Sequence, residues 1–313
     1  MSGAVPMISV LLATRNGAEF LSDQLDSLAL QSYGNWRLQA SDDGSSDSTL
    51  AMLETFSARV GTGRVAISAG PGRGATANFL ELILKSGPEA DWLAFCDQDD
   101  IWLSEKLERA VAALCDAAGP AIYACRVFIA DQGGRGDRIS AMPGLPLGLR
   151  HALAENGMTG NAMVLNAEAA ALMRRAIGGS QDRAALEAGY HDWLAYQVIS
   201  AAGGAILFDP VPGLHYRQHG GNLVGSGQAK GQALARIRRV LSGDYGRAVR
   251  RQATALLSLP DLGDEGRMIA FQLLSLREVS IWKRPAILRR LGVYRQNRAE
   301  DWVLKLLLFW GRI

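Results

Sequence analysis

Three carboxylates, Asp97, Asp99 and Asp100, follow directly on the apolar run Trp92-Leu93-Ala94-Phe95-Cys96. Five apolar residues bounded by turn-forming acids read as a buried strand. Ile101 and Trp102 return to apolar character, and Ser104-Glu105 reads as the capped, acidic opening of a helix. The acids therefore sit at the carboxyl end of a strand, where open α/β sheets place their ligands. Clustered carboxylates repel one another at neutral pH unless a cation neutralises them. A hard divalent ion with oxygen ligands and phosphate partners is the natural occupant. An isolated D-x-D is more often a solvated acidic turn, so the surrounding elements decide.

Those elements alternate. Residues 7–13 form a first strand, apolar almost throughout, ended by Thr14-Arg15-Asn16-Gly17. Leu21, Leu25 and Leu28 fall at helical spacing up to about Leu30. Residues 36–40 are a second, more polar strand. The loop Ser41-Asp42-Asp43-Gly44-Ser45-Ser46-Asp47-Ser48-Thr49 follows, read plainly as a capped connection to a helix carrying Leu50, Leu53 and Phe56. Residues 64–68 are a third strand. Gly70-Pro71-Gly72-Arg73-Gly74 fits neither the dinucleotide fingerprint nor a Walker loop, and leads to a helix with Phe79, Leu80, Ile83 and Leu84 inward. After the acids come a helix over 104–117 and a strand over 121–130. Strand and helix repeated four times predict a parallel, doubly wound sheet. Thr14-Arg15-Asn16, Asp42-Asp43 and Asp97-Asp99 then all lie at carboxyl strand ends and line one crevice.

The second half is less regular. Residues 131–158 read as a long Gly- and Pro-rich connection and 159–165 as a strand opening with a turn at Gly160-Asn161. A helix over 166–177, a loop over 178–187 and a helix starting at Gly189-Tyr190-His191-Asp192-Trp193 follow. A short strand over 205–208 is stopped by Asp209-Pro210, residues 214–222 close this half, and the chain is helical from about Gln228.

Composition bounds the reading. With 313 residues, 48% hydrophobic and 20% charged, the chain builds a sizeable core, and global disorder is excluded. A net charge of +2 gives no global pull toward nucleic acid. Arginines nonetheless crowd the tail, as in Arg236-Ile237-Arg238-Arg239, Arg250-Arg251 and Arg289-Arg290. Cys96, Cys115 and Cys125 stand in apolar surroundings without metal-ligand spacing, which speaks for buried thiols in a reducing compartment. Residues 7–13 are too short and lack the basic lead of a secretory signal. No apolar run reaches the roughly 18 residues a spanning helix needs. The expectation is a cytoplasmic protein, with peripheral contact on the inner membrane face as a further reading of its tail.

Taken in order, Asp42-Asp43-Gly44-Ser45, Asp97-Gln98-Asp99-Asp100-Ile101-Trp102, His191-Asp192-Trp193 and Tyr216-Arg217-Gln218-His219 resemble a family-2 glycosyltransferase. More narrowly, they resemble the rhamnosyltransferase-like members of bacterial surface-polysaccharide assembly. The opening Ser9-Val10-Leu11-Leu12-Ala13-Thr14-Arg15-Asn16-Gly17 and the helix ending in Gln31-Ser32-Tyr33 match too, and the resemblance covers residues 7 to about 225.

The resemblance implies a GT-A fold: a doubly wound, mostly parallel α/β sheet with flanking helices, plus a C-terminal helical extension. Residues 1–227 would form the catalytic unit, with 1–130 its nucleotide half and 131–227 its acceptor half, and 228–313 the extension. It implies inversion at the anomeric carbon with Mg²⁺ or Mn²⁺, a nucleotide-diphosphate sugar as donor and a glycan or lipid-linked acceptor. Thr14, Arg15 and Asn16 would border the nucleotide, and Asp42 and Asp43 the base or ribose. Asp97 and Asp99 would hold metal and diphosphate, with Asp99 ahead as direct ligand. Asp192 would be the catalytic base, although many relatives carry Glu where this chain has His191. Arg73, Asn78 and Arg217 are candidates near the phosphates. His219 would complete the metal shell, with His215 its competitor. Gly160 and Asn161 would floor the acceptor site, His191 would orient the acceptor side, and Trp102 and Trp193 would stack on sugars or belong to the core. A sugar nucleotidyltransferase and a silent nucleotide-sugar-binding scaffold are the alternatives. For the tail they are a membrane-surface segment, a helical cap and an oligomer contact.

Overall fold

The computed structural model describes residues 5–86, 92–219, 243–260 and 262–313. At its centre lies a sheet of β1 (Ile8–Thr14), β2 (Trp36–Asp42), β3 (Val65–Ala69), β4 (Trp92–Cys96), β5 (Ile101–Trp102), β6 (Ala121–Ala130), β7 (Arg138–Ile139), β8 (Val164–Leu165) and β9 (Ala205–Arg217). Around it are α1 (Leu21–Ala29), α2 (Thr49–Val60), α3 (Ala75–Lys85), α4 (Lys106–Leu114), α5 (Leu149–Ala152), α6 (Ala167–Gly178), α7 (Arg183–Glu187) and α8 (His191–Ala201). The tail adds α9 (Asp244–Leu257), α10 (Asp264–Ser275), α11 (Arg284–Leu291) and α12 (Arg298–Phe309).

Across the sheet the order is β3-β2-β1-β4-β8-β6-β9-β5, with β7 on β6. β3, β2, β1 and β4 are parallel, as helical crossovers require. β8 runs antiparallel to both β4 and β6, β9 runs parallel to β6, and β5 runs antiparallel to β9. The doubly wound pattern thus holds for the first half, and β8 is inserted between it and β6.

Because successive strand residues face opposite sides, β1 feeds two buried layers. Ile8, Val10 and Leu12 pack with Leu21, Leu25, Leu53 and Leu107 of α1, α2 and α4. Leu11 packs on the other side with Phe79 and Leu80 of α3, Met173 of α6 and Tyr196 of α8. Val249, Ala270, Leu273, Leu304 and Leu308 of α9, α10 and α12 belong to that same second cluster. The described tail is therefore fastened to this second layer by shared core. The proposed boundary at 227/228, like residues 220–242 generally, lies outside the described residues.

Several expectations are corrected. Leu84 is 38% exposed, on the outer side of α3. Cys115 is exposed just past the end of α4, while Cys96 and Cys125 are buried, and all three are free thiols. The connection 131–158 contains β7 and α5, and the loop 178–187 contains α7. The largest correction concerns β9, which does not stop at Asp209-Pro210 but runs on to Arg217. Its pairing slips there: Cys125 lies opposite Asp209, and Arg126 opposite Pro212. At such a bulge a proline costs the ladder no hydrogen bond. Arg109 pins the bulge, donating to Asp209 Oδ2 at 2.9 Å and to the Pro212 carbonyl at 2.9 Å. Among the described residues no helix is long and apolar enough to cross a membrane.

Candidate active site

Strand direction assembles the site. β2, β1 and β4 are adjacent and parallel, so the loops after Asp42, Thr14 and Cys96 emerge at one edge. β8 starts at the same edge and runs the other way. Val164 faces Ala94 and Leu165 faces Leu93, so the 3-10 turn Gly160–Ala162 just before β8 lies beyond the end of β4. β5 pairs Ile101 with His215, so the chain leaving β9 passes Asp99. The side chains close this junction. Arg217 donates its backbone N–H to Asp100 Oδ1 at 3.2 Å and its Nε–H to the Asp99 carbonyl at 2.9 Å. His219 Nε2 lies 2.7 Å from Asp99 Oδ2. His215 instead stacks on Phe128 with ring centroids 5.0 Å apart, so His219 is the histidine that meets Asp99.

The Asp97 carboxyl is pushed up to about 8, first by burial and then by the charges of Asp99 and Asp192, with Lys106 opposing. Asp192, from the other half of the chain, is thus an electrostatic neighbour of the D-x-D. It stands in the first turn of α8. Its Oδ2 accepts from Asn156 Nδ2 at 2.9 Å and from the Gly160 N–H at 3.1 Å, and its Oδ1 from the Trp193 N–H at 2.7 Å. A carboxylate offers about four acceptor positions, so one remains open. A Cβ at Gly160 would stand 3.0 Å from both Asp192 Cβ and His191 Nε2. Gly160→Ala is therefore expected to displace Asp192 and reduce turnover about tenfold or more, with the melting temperature nearly unchanged; steady-state kinetics beside a thermal melt checks this.

The other acids act inside the protein. Asp42 accepts from Thr14 Oγ1 at 3.0 Å and from the Ser45 N–H at 2.8 Å. Asp43 accepts from the N–H groups of Gly72 and Gly74 at 2.6 and 2.7 Å, which ties the Gly-rich loop to the end of β2. Asn16 has a positive φ of 46° and accepts from the Ser46 N–H at 2.8 Å, so it shapes the loop junction. Arg15 stays exposed at the mouth. Asp100 is fully buried and also accepts from Asn161 Nδ2. Lys106, equally buried, donates to the Asn161 carbonyl at 2.7 Å, and its ammonium sits 3.1 Å from the Trp102 ring centroid. Burial first of all lowers this lysine to about 8.

Several candidates lie behind the crevice rather than in it. Trp102 is 3% exposed and Trp193 6%, the latter donating its indole N–H to the Ala152 carbonyl. Neither ring is open to a sugar. Asn161 is 1% exposed and holds Asp100 instead of flooring an acceptor. Asn78 is buried and donates to the Ser41 carbonyl at 2.8 Å, away from solvent. Arg217 also donates from Nη1 to the Gln132 carbonyl and from Nη2 to Asp23 Oδ2, each at 2.7 Å, so its fork is engaged by protein. Arg73 grips Glu187 at 3.0 Å, clamping the Gly-rich loop to α7. His191 stacks on Phe79 at 3.8 Å, and burial lowers it to about 4, so it is a neutral packing group. Sequence reasoning missed Asn156, hidden in a connection without pattern, and Gln98. The Gln98 amide accepts from the Arg15 N–H at 2.9 Å and donates to the Arg15 carbonyl at 3.1 Å. Its place inside the D-x-D was the available signal.

Among the described residues no three His, Cys, Asp or Glu side chains cluster closely enough to hold a metal by themselves. Asp99 and His219 nevertheless bring one carboxylate oxygen and one imidazole nitrogen into contact. That donor pair suits a divalent cation whose shell is completed by phosphate and water oxygens.

A mixed sheet with helices on both faces and acids at the carboxyl ends of its parallel strands is the GT-A class of glycosyltransferase fold. Solved structures share it: TarS 1-349 from S. aureus in complex with UDP-GlcNAc is 16% identical with a TM-score of 0.58, over 91% of this chain and 80% of that one. The mannosyltransferase PcManGT from Pyrobaculum calidifontis, in complex with GDP-Man and Mn²⁺, is 16% identical with a TM-score of 0.54, over 99% and 83%. Residues 9–178, more than half of the chain, match the family Glycosyl transferase family 2. The chain belongs to that family and is a glycosyltransferase. Asp192, Arg217 and His219 lie beyond the matched stretch. The dTDP-rhamnosyl transferase RfbG of Shigella flexneri is 28% identical over 248 residues, 78% of this chain and 84% of that protein. The UDP-Glc:alpha-D-GlcNAc-diphosphoundecaprenol beta-1,3-glucosyltransferase WfgD of Escherichia coli is 29% identical over 111 residues, 34% of this chain and 41% of that protein.

Proposed function

We propose that the protein moves a sugar, rhamnose on dTDP being the favoured donor, to a hydroxyl of a growing glycan or lipid-linked acceptor in polysaccharide biosynthesis, with inversion and with a divalent cation. The observation that carries this reading is the hydrogen bond of His219 to Asp99 at the carboxyl edge of the parallel strands, where Asp97 lies within the electrostatic reach of both Asp99 and Asp192. The similarity to RfbG supports the donor, and the similarity to WfgD a lipid-linked acceptor.

In this reading Asp99 and His219, with Asp97 behind them, would hold the cation, and the exposed Arg15 borders the nucleotide, while Thr14 and Asp43, buried and hydrogen-bonded within the protein, shape the loops beside it. The cation supplies positive charge to the departing diphosphate. Asp192 uses its open acceptor position to take the proton of the acceptor hydroxyl as that oxygen bonds to the anomeric carbon and the nucleoside diphosphate leaves from the opposite face. Asn156 and the Gly160 N–H hold the carboxylate in place for this. A single displacement needs no covalent nucleophile. Nucleotidyl transfer, the other enzymatic alternative, does not fit the family.

Thermal melts with dTDP, UDP and GDP, each with and without Mn²⁺ or Mg²⁺, test the donor crevice. At a hundredfold excess over Kd, the matching nucleotide is expected to stabilise by about 2.7 kcal/mol. This gain should require the metal and vanish in Asp99→Ala. Absence of any nucleotide response in the wild type would overturn the donor site proposed here.

A further inference from the structure

We infer that the C-terminal helices form a docking surface for an anionic lipid bilayer. On α12, Trp302, Leu306 and Trp310 (the last just past its end) recur every fourth residue and are 69%, 52% and 62% exposed. Residues at that spacing share one helix face. The opposite face buries Leu304 and Leu308 in the core, so packing of this helix is already satisfied without the tryptophans. Trp282, just before α11, is 89% exposed. Arg284 joins the two segments, donating to the carbonyls of Phe309 at 2.7 Å, Val279 at 2.9 Å and Arg277 at 2.9 Å. Trp282 and Trp310 are thereby held at the same end of the helical layer.

Exposed tryptophans carried by a rigid helix are unusual on a surface that meets only water. They suit a bilayer interface, where the ring enters the acyl boundary and the indole N–H stays at headgroup level. The charge around them selects the lipid. Between Glu278 and Glu300 the chain carries no acid, and besides Arg295, which Glu155 and Glu300 already hold, it carries Lys283, Arg284, Arg289, Arg290 and Arg298. The acids of the first turn of α12 are already paired: Glu300 with Arg295 at 2.7 Å, Asp301 with Lys305 at 2.6 Å. Beside the chain end, Arg250 donates to the Arg312 carbonyl at 3.0 Å, and Arg247, Arg250 and Arg251 line a cavity of about 360 Å³, of a size to take a phosphate headgroup. Burial, then the charges of Arg277 and Arg247, lower the pKa of Arg250, as expected where cations crowd. A second copy of the chain would bring the same positive charge against this face, whereas an anionic bilayer complements it. With no spanning helix among the described residues, the layer lies on the membrane.

The test is flotation of the full chain with vesicles of phosphatidylcholine alone and of phosphatidylcholine mixed with phosphatidylglycerol. Binding to the mixed vesicles, weakened by high salt, is expected. The Trp302→Ala/Trp310→Ala variant should bind about tenfold more weakly or worse. Arg289→Glu/Arg290→Glu should lose the preference for phosphatidylglycerol. All four side chains point to solvent, so unchanged circular dichroism and melting will separate lost docking from lost fold. Failure of the wild type to float, or undiminished flotation of the tryptophan variant, would overturn the inference. So would a wild-type dimer that Trp302→Ala splits without any vesicle binding, since the surface would then belong to a second copy. Nucleotide binding is read separately, so loss of the docking inference leaves the transfer reading intact.

Discussion

Asp192→Asn is expected to lower turnover by about 10²–10⁴-fold while leaving nucleoside-diphosphate binding and its metal requirement in place. The amide matches the carboxylate in shape but takes up no proton. It also replaces one acceptor by a donor, although Asn156 Nδ2 and the N–H groups of Gly160 and Trp193 all donate to Asp192. One of them then loses its acceptor, at a cost of about 1 kcal/mol or more. The loss should therefore fall on kcat and only slightly on melting temperature. Separate determination of kcat and KM, alongside the nucleotide melt, decides the matter. Wild-type kcat in Asp192→Asn would remove the base from this position and direct attention to Asp97, its electrostatic neighbour.

Asp100→Ala carries the second large effect, on stability more than on chemistry. This carboxyl is fully buried and joins three parts of the chain: the D-x-D loop, the turn before β8 through Asn161, and the end of β9 through the Arg217 N–H. Burial, then Asp97 and Asp99, push its pKa upward, while Asn161 and Arg217 oppose. Removing it leaves two buried donors without an acceptor, each costing about 1–3 kcal/mol. It also takes a neighbouring charge from the buried Lys106 ammonium. A loss of about 2–5 kcal/mol is expected on this basis, read as a lowered urea midpoint. The smaller change Asp100→Asn, which keeps one acceptor, should lose less. A midpoint unchanged in Asp100→Ala would mean that water replaces the carboxyl and that the junction is not held by it.

The nucleotide half was legible in sequence because its signals are local. Apolar runs ended by turn formers marked β1, β2, β3 and β4 to within about two residues, and helical spacing marked α1, α2 and α3. Parallel strands place their following loops at one edge, so the meeting of Thr14, Asp42 and Asp97 followed from alternation alone. The second half resisted because its pairing is non-local. β8 is two residues long, and β9 passes a proline through a bulge. No local pattern announces either.

By itself, then, the sequence determined the family and the class of fold, and it singled out the carboxylates Asp97, Asp99 and Asp192 as candidates, since residue type and spacing carry the chemistry. Only the tertiary structure decided how each side chain is occupied. Arg217, Trp102, Trp193, Asn161 and Asn78 have the chemistry of ligand contacts, yet burial and internal hydrogen bonds commit them to support. His219 was separable from His215 only once β9 ran past Asp209 and carried it to Asp99. That the tryptophans of α12 face outward was likewise visible only once its inner face was seen to be filled. The physical reason is common to all three: a side chain's type sets what it can bind, whereas its partners and its access to solvent, which only packing of distant segments creates, set what it is still free to bind.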